Sequence, residues 1–259
     1  MYACYHTHTQ RCQHALGTDE EYVLAAIAEG VSVLGFSDHA PMPYRCGYVS
    51  NYKMTVDELS EYCGSILALK EKYADKIEIH IGFETEYYPS LWDASVALWR
   101  DYPIEYLILG QHFVGEETDP DRDPSTRPSS DTGRLIKYVD RTIAGMRRIH
   151  PSCIAHPDLL NYTGADLDLY REEMGRLIRC AMELKIPLEY NLLGMSGGRS
   201  YPKPIFWEEA ARLGAPAIIG CDAHSPDRVA NPGEIATAKS FLDKLGVNLI
   251  DRFPLVKPF

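Results

Sequence analysis

The chain has 259 residues, 45% of them hydrophobic and 24% charged, enough to bury one large core and too few for three ordinary domains. Twenty-six Lys and Arg against thirty-seven Asp and Glu give a formal charge of −11, which repels a phosphate backbone and argues against duplex nucleic acid as a partner. No run of about 18 apolar residues occurs, so no membrane-spanning helix is predicted. The first residues lack the basic and apolar pattern of a secretory leader, and the expected location is cytoplasmic.

Seven short runs rich in Val, Ile, Leu, Tyr and Phe read as buried parallel strands: residues 2–8, 31–38, 77–84, 106–113, 152–156, 187–193 and 216–222. Amphipathic stretches separate them. After the first strand, Thr18 and Glu21 have the spacing of a capping box, opening a helix over 22–29 that Gly30 can terminate. Residues 57–73 and 134–148 read as helices in the same way. About 37 residues per strand and helix fit either a doubly wound open sheet or a β/α barrel, and seven units favour a barrel with one unit fewer than the usual eight. No linker or repeat divides the chain, so one domain over 1–259 is expected. Residues 115–130, acidic and rich in proline, break the pattern and form a long loop, either a solvated insertion or a lid over the strand ends.

The seven cysteines are odd in number and widely spaced, without a CxxC array, and read as reduced, mostly buried thiols. The histidines carry more information. Seven of the nine, with one Glu and one Asp, lie at or just beyond the carboxyl ends of predicted strands: His6, His8 and His14 after the first, His39 after the second, Glu84 at the third, His112 and His156 at the fourth and fifth, and Asp222 with His224 at the seventh. Residues two apart on a strand face the same way, so His6 and His8 can hold one ion, and in a β/α barrel the other groups converge on the same mouth. A lone strand-end His is usually a packing residue, but seven at equivalent positions point to a metal site. His80, inside a strand, and His150, before Pro151, fall outside the pattern and read as structural.

The set His-Thr-His, Ser-Asp-His, Gly-Phe-Glu, Gln-His-Phe, His-Pro-Asp and Asp-Ala-His resembles the polymerase and histidinol phosphatase (PHP) family over essentially the whole chain. Ser37-Asp38-His39-Ala40-Pro41, Gly82-Phe83-Glu84-Thr85-Glu86-Tyr87, the run from Tyr106 to Phe113 and Asp222-Ala223-His224-Ser225-Pro226 are most similar to its histidinol-phosphatase branch. The resemblance implies an α/β fold, a distorted (β/α)7 TIM-like barrel, with up to three divalent ions at the carboxyl face of the strands. By analogy one ion takes His6, His8, Glu84 and Asp222, a second takes His14, His39 and His224, and a third takes His112 and His156 while sharing Glu84. Imidazole and carboxylate without thiolate suit Zn, Fe or Mn alike.

The implied activity is hydrolysis of a small-molecule phosphate monoester, L-histidinol phosphate in histidine biosynthesis, by attack of a metal-bridging hydroxide, with Glu84, Asp222 and His224 as catalytic residues. No nucleophilic Ser or Cys with a base partner and no GxxxxGK[ST] loop competes with that chemistry. Arg199, on the Gly-rich segment 194–200, is the candidate for a bidentate pair with phosphate oxygens. The segment after His156 lacks the Arg or Lys that relatives often place there, and Arg45 or Lys53 is a candidate substitute. Glu86 is a candidate partner for the ammonium of histidinol phosphate. Asp38 is placed either to orient an imidazole or to cap a turn. A phosphoesterase of other specificity and a non-catalytic metal-binding module are the competing readings.

Overall fold

Parallel strands pair side by side only when a crossover returns the chain to the starting end of the sheet, and helices supply those crossovers here. The structure, a computed structural model, describes residues 1–45 and 47–259. Strands β1 (Ala3–Cys4), β2 (Val33–Phe36), β3 (Glu78–Thr85), β4 (Tyr106–Leu109), β5 (Cys153–Ile154), β6 (Leu188–Asn191), β7 (Pro216–Gly220) and β8 (Asn248–Leu249) form one parallel sheet in chain order. Helices α1 (Asp19–Ala28), α2 (Leu59–Lys72), α3 (Trp92–Trp99), α4 (Thr132–Ile149), α5 (Leu167–Glu183), α6 (Leu192–Ser196), α7 (Pro204–Leu213) and α8 (Pro232–Leu245) lie between the strands. Among the described residues no helix is long and apolar enough to cross a membrane.

Local signals act as the residues imply. The Thr18 side chain accepts from the Glu21 amide while Glu21 reaches back to the Thr18 amide, so both halves of the capping box at α1 are made. Gly30, at φ +69°, follows the last turn in the left-handed conformation that glycine adopts without strain. Of the seven cysteines, six are buried and free, and Cys46 lies outside the described residues.

Seven strands were expected and the described residues form eight. The additional one, β8, has two residues and pairs with the start of β7, Asn248 opposite Pro216 and Leu249 opposite Ala217, too short to leave a periodic signal in the sequence. At the other end of the sheet the segments beyond β1 and β7 meet directly: the His8 amide donates to Ala223 O at 2.9 Å and the Ala223 amide to His6 O at 3.2 Å. The seven-unit barrel is therefore joined at its carboxyl mouth, where the site lies. The expected first strand, 2–8, includes only two residues of regular ladder, and His6 and His8 sit on its extended continuation.

The inner cluster of Tyr5, Val33, Tyr106, Ile108, Cys153 and Ile218 is closed by Phe253 of the carboxyl-terminal segment, whose ring centroid is 4.2 Å from that of Tyr5. Tyr106 crosses the barrel, fully buried, and donates its hydroxyl to Tyr5 O at 2.8 Å. Its ring lies on Gly82, where an added Cβ would come within 2.6 Å of Cδ1 and 2.7 Å of Cζ. Gly82→Ala is expected to cost about 1–3 kcal/mol through overpacking. Tyr106→Phe, which keeps the ring and removes one buried hydrogen bond, should cost about 1 kcal/mol. Urea midpoints of the two variants check the order.

Candidate metal centre

The strand ends bring all nine candidate ligands to one place. His14, His39, Glu84, His112, His156, Asp222 and His224 line a cavity of about 310 Å³ at the carboxyl mouth, with His6 and His8 buried at its floor. His6 Nε2 and His8 Nε2 are 3.1 Å apart, at 3.5 and 3.6 Å from Glu84 Oε2 and at 3.4 and 3.1 Å from Asp222 Oδ1. Two donors each about 2.1 Å from one ion lie about 3.0–3.5 Å apart, so these four atoms have the spacing of a divalent coordination shell.

Glu84 divides the histidines. Its Oε2 faces His6, His8 and His39, the last at 3.1 Å through Nδ1, while its Oε1 is 2.8 Å from His156 Nε2 and 3.5 Å from His112 Nε2. A carboxylate placed this way can bridge two ions. On the other side of His8, His14 Nε2 and His224 Nε2 are 2.9 Å apart, and the His39 ring lies 5.5 Å from that of His14. The three groups expected from the sequence are thus brought together, with His39 turned so that Nδ1 points at Glu84.

The donor set fits divalent cations on independent grounds. Glu84 is buried, and neither oxygen makes a well-directed hydrogen bond although five imidazole nitrogens stand within 3.6 Å of it, and buried His156 Nδ1 has no partner. A charge so placed is costly without a cation. Five imidazoles keep Nε2 free because Nδ1 is held from behind: His6 by Glu189 at 2.7 Å, His8 by Asp38 at 3.3 Å, His112 by Glu86 at 2.9 Å, His14 by Cys12 O at 2.7 Å and His224 by Asp222 O at 3.0 Å. Such partners fix both tautomer and ring orientation. His156 and Asp222 also adopt positive φ, +30° and +50°, a backbone conformation that costs about 1–3 kcal/mol at a non-glycine residue and concentrates at functional sites.

Asp38 takes the orienting position, also accepting from the His39 amide at 2.8 Å. Glu189 escaped the sequence reading, although a glutamate within the buried strand run Leu188-Glu189-Tyr190 was its signal. Besides His6 it accepts from the His156 amide and from Asn191 Nδ2, each at 3.0 Å, and Asn191 reaches Asp222 Oδ2 at the same distance.

The predicted substrate contacts divide differently. Arg199 lines the cavity. Arg45 does not: it is exposed on a separate surface pocket with Tyr44, Tyr48 and Glu117, at the outer part of a segment after β2 that returns to the cavity only at Tyr52. Glu86 is fully buried behind His112, with its carboxylate on His112, Tyr52 and Lys53, and it does not line the cavity. Lys53 is committed to that pair and fully buried. His80, held between Glu78 and Glu105, and His150, capping α4, lie outside the site as expected. The loop 115–130 is pinned along the rim, with the Ser125 amide on His112 O at 2.7 Å and Arg134 on Asp123 at 2.9 Å, and only Thr126 of it lines the cavity.

Charge coupling in the cluster is strong. Burial opposes ionisation of Glu84, but His112, His6, His39 and His156 hold it well below the usual carboxylate range. Burial lowers His6, yet Glu189, Asp222 and Glu84 raise it well above 6.5. Burial and the neighbouring His8 push His39 well below the same value. Because its folded pKa is raised, His6 stabilises the metal-free protein fully below pH 6.5, and that stability is lost as pH rises through the folded value. Metal binding requires neutral imidazole. The Tm gap between metal-loaded and chelated protein should therefore widen from about pH 6 to 8, and titration calorimetry of Zn into chelated protein should show proton release at neutral pH through its dependence on buffer ionisation enthalpy. Glu189→Gln should weaken metal affinity about 10- to 100-fold, read by competition with a chromogenic chelator.

Comparison with known proteins agrees with this geometry. A protein of Deinococcus radiodurans named "Probable histidinol-phosphatase" is 28% identical over 228 residues, covering 86% of each chain. The histidinol-phosphatase of Bacillus subtilis is 24% identical over 250 residues, covering 85% of this chain and 92% of its own. The crystal structure of histidinol phosphate phosphatase from Lactococcus lactis, complexed with zinc, L-histidinol and phosphate, superposes with a TM-score of 0.75 at 18% identity, covering 98% of both chains, and shares the fold. The PHP domain pattern matches residues 5–192, from just past β1 through β6, and the chain belongs to the PHP domain family.

Proposed function

We propose that this protein, one barrel domain over 1–259, is a metal-dependent phosphomonoesterase that hydrolyses L-histidinol phosphate to L-histidinol and phosphate, the histidinol-phosphatase step of histidine biosynthesis. The observation that carries the reading is the buried carboxylate of Glu84 shared between two sets of histidines. His6, His8, Glu84 and Asp222 hold one divalent ion, His14, His39 and His224 a second, and His112 and His156 with Glu84 a third, the metals being Zn, Fe or Mn. Ions so held lower the pKa of coordinated water and neutralise phosphoryl oxygens. The relatives' names and the neighbour's bound L-histidinol and phosphate support the substrate.

The remaining work falls to side chains. Arg199 has no carboxylate partner among the described residues and presents its guanidinium to the cavity, where it pairs with the phosphate. Asp222 and His224 act at the reacting end of the cavity as ligands, His224 with 17% of its side chain exposed to the opening. The cavity, about 310 Å³, has the size of a small monoester.

Phosphate release by protein purified without chelator, with Mn, Zn and Fe added in turn, should show a kcat/KM preference for histidinol phosphate over sugar phosphates, nucleotides and phosphotyrosine. A flat or different profile would keep the phosphoesterase and remove the biosynthetic assignment, and silence with metal bound would leave a non-catalytic module. Arg199→Ala should raise KM about 10- to 100-fold, the worth of a charge-assisted hydrogen bond, with metal content unchanged. Wild-type kinetics in that variant would take Arg199 out of the site.

A further inference from the structure

Outside the candidate metal ligands, the cavity is lined by Tyr52, Thr126, Leu159, Leu193, Arg199 and Tyr201. Arg199 is the one cation in that set, and Leu159 stands on the segment after His156 that carries no basic residue. A phosphate dianion with three terminal oxygens needs further donors. Tyr52 is committed, its hydroxyl lying 2.9 Å from Glu86 and 3.1 Å from Glu117. Tyr201 is not. Its oxygen accepts from Arg199 Nη1 at 3.1 Å, and among the described residues no acceptor takes its own proton.

Tyr201 is also held in place. It is 3% exposed, its ring centroid 5.7 Å from that of His156. The ring packs against Gly194 in α6, where an added Cβ would run into Cδ2 and Cε2. The Gly194 amide in turn donates to Asn191 Oδ1 at 2.8 Å, and Asn191 donates to Asp222. One chain of contacts thus runs from a candidate metal ligand to the phenol and on to the guanidinium. A phenol fixed by packing loses little entropy on accepting a ligand.

We propose that Tyr201 is a phosphate-binding residue: its hydroxyl donates to a terminal oxygen of the phosphoryl group while its oxygen holds Arg199 over the same group. The dyad supplies the second donor that the segment after His156 lacks. This rests on the phosphomonoesterase reading, but its test does not need turnover. In metal-loaded full-length protein, Tyr201→Phe keeps the ring on Gly194 and removes only the hydroxyl. Inorganic phosphate, titrated calorimetrically, should bind about 10- to 100-fold more weakly to this variant, with KM for histidinol phosphate raised in parallel and metal content unchanged.

Unchanged phosphate affinity in Tyr201→Phe would overturn the proposal. So would loss of metal or of the unfolding transition, which would assign the hydroxyl to the scaffold. If the wild-type protein turns over no monoester, the phosphomonoesterase reading fails, and the phosphate titration still decides Tyr201.

Discussion

Removing a carboxylate from water costs several kcal/mol unless cations or hydrogen-bond donors replace the solvent. Glu84 lies in the last pleat of β3, buried inside the barrel mouth, and five imidazoles turn nitrogen atoms toward its two oxygens. That arrangement is stable only around positive charge. It explains why the imidazoles are crowded and why their proton affinities diverge, His6 raised and His39 lowered, since neighbouring imidazoles cannot all carry a proton.

Around this centre a second layer of carboxylates does the orienting. Glu189 on β6, Asp38 after β2 and Glu86 after β3 each take the Nδ1 proton of a different histidine, leaving Nε2 directed inward. The layer is itself tied down: Glu189 binds the His156 backbone, and Glu86 is neutralised by Lys53, buried beside it. Rings fixed from behind keep their spacing whether or not a cation is bound, which is what a preformed site requires.

The barrel sets the boundary between the rigid and the adaptable parts. The regular strands end two to four residues before seven of the nine candidate ligands, and the bridge between Thr7 and Ala223 closes the mouth directly beneath His8 and His224. Beyond that ring, the loops decide what the cavity presents to a substrate. The Gly-rich turn after α6 brings Arg199 and Tyr201 to it, the loop 115–130 contributes Thr126, and the segment after β2 leaves Arg45 outside.

The candidate ligands were legible along the chain because all but His14, which lies in the first loop, sit at a recurring position, at or near the end of a strand run, and because His-x-His spacing puts both imidazoles on one face. The barrel class and the α1 cap were legible for the same reason, being local patterns. What the chain order does not encode is distance between remote segments. Whether a charged residue one or two places past a ligand faces substrate or supports that ligand depends on which neighbour its rotamer meets, so Glu86 reads as a recognition residue in one dimension and proves to be the partner of His112 in three. Glu189 acts across 183 positions on His6, and the two-residue β8 exists only because β7 offers it an edge. Packing of distant strands decides those contacts, and only the folded chain brings them together.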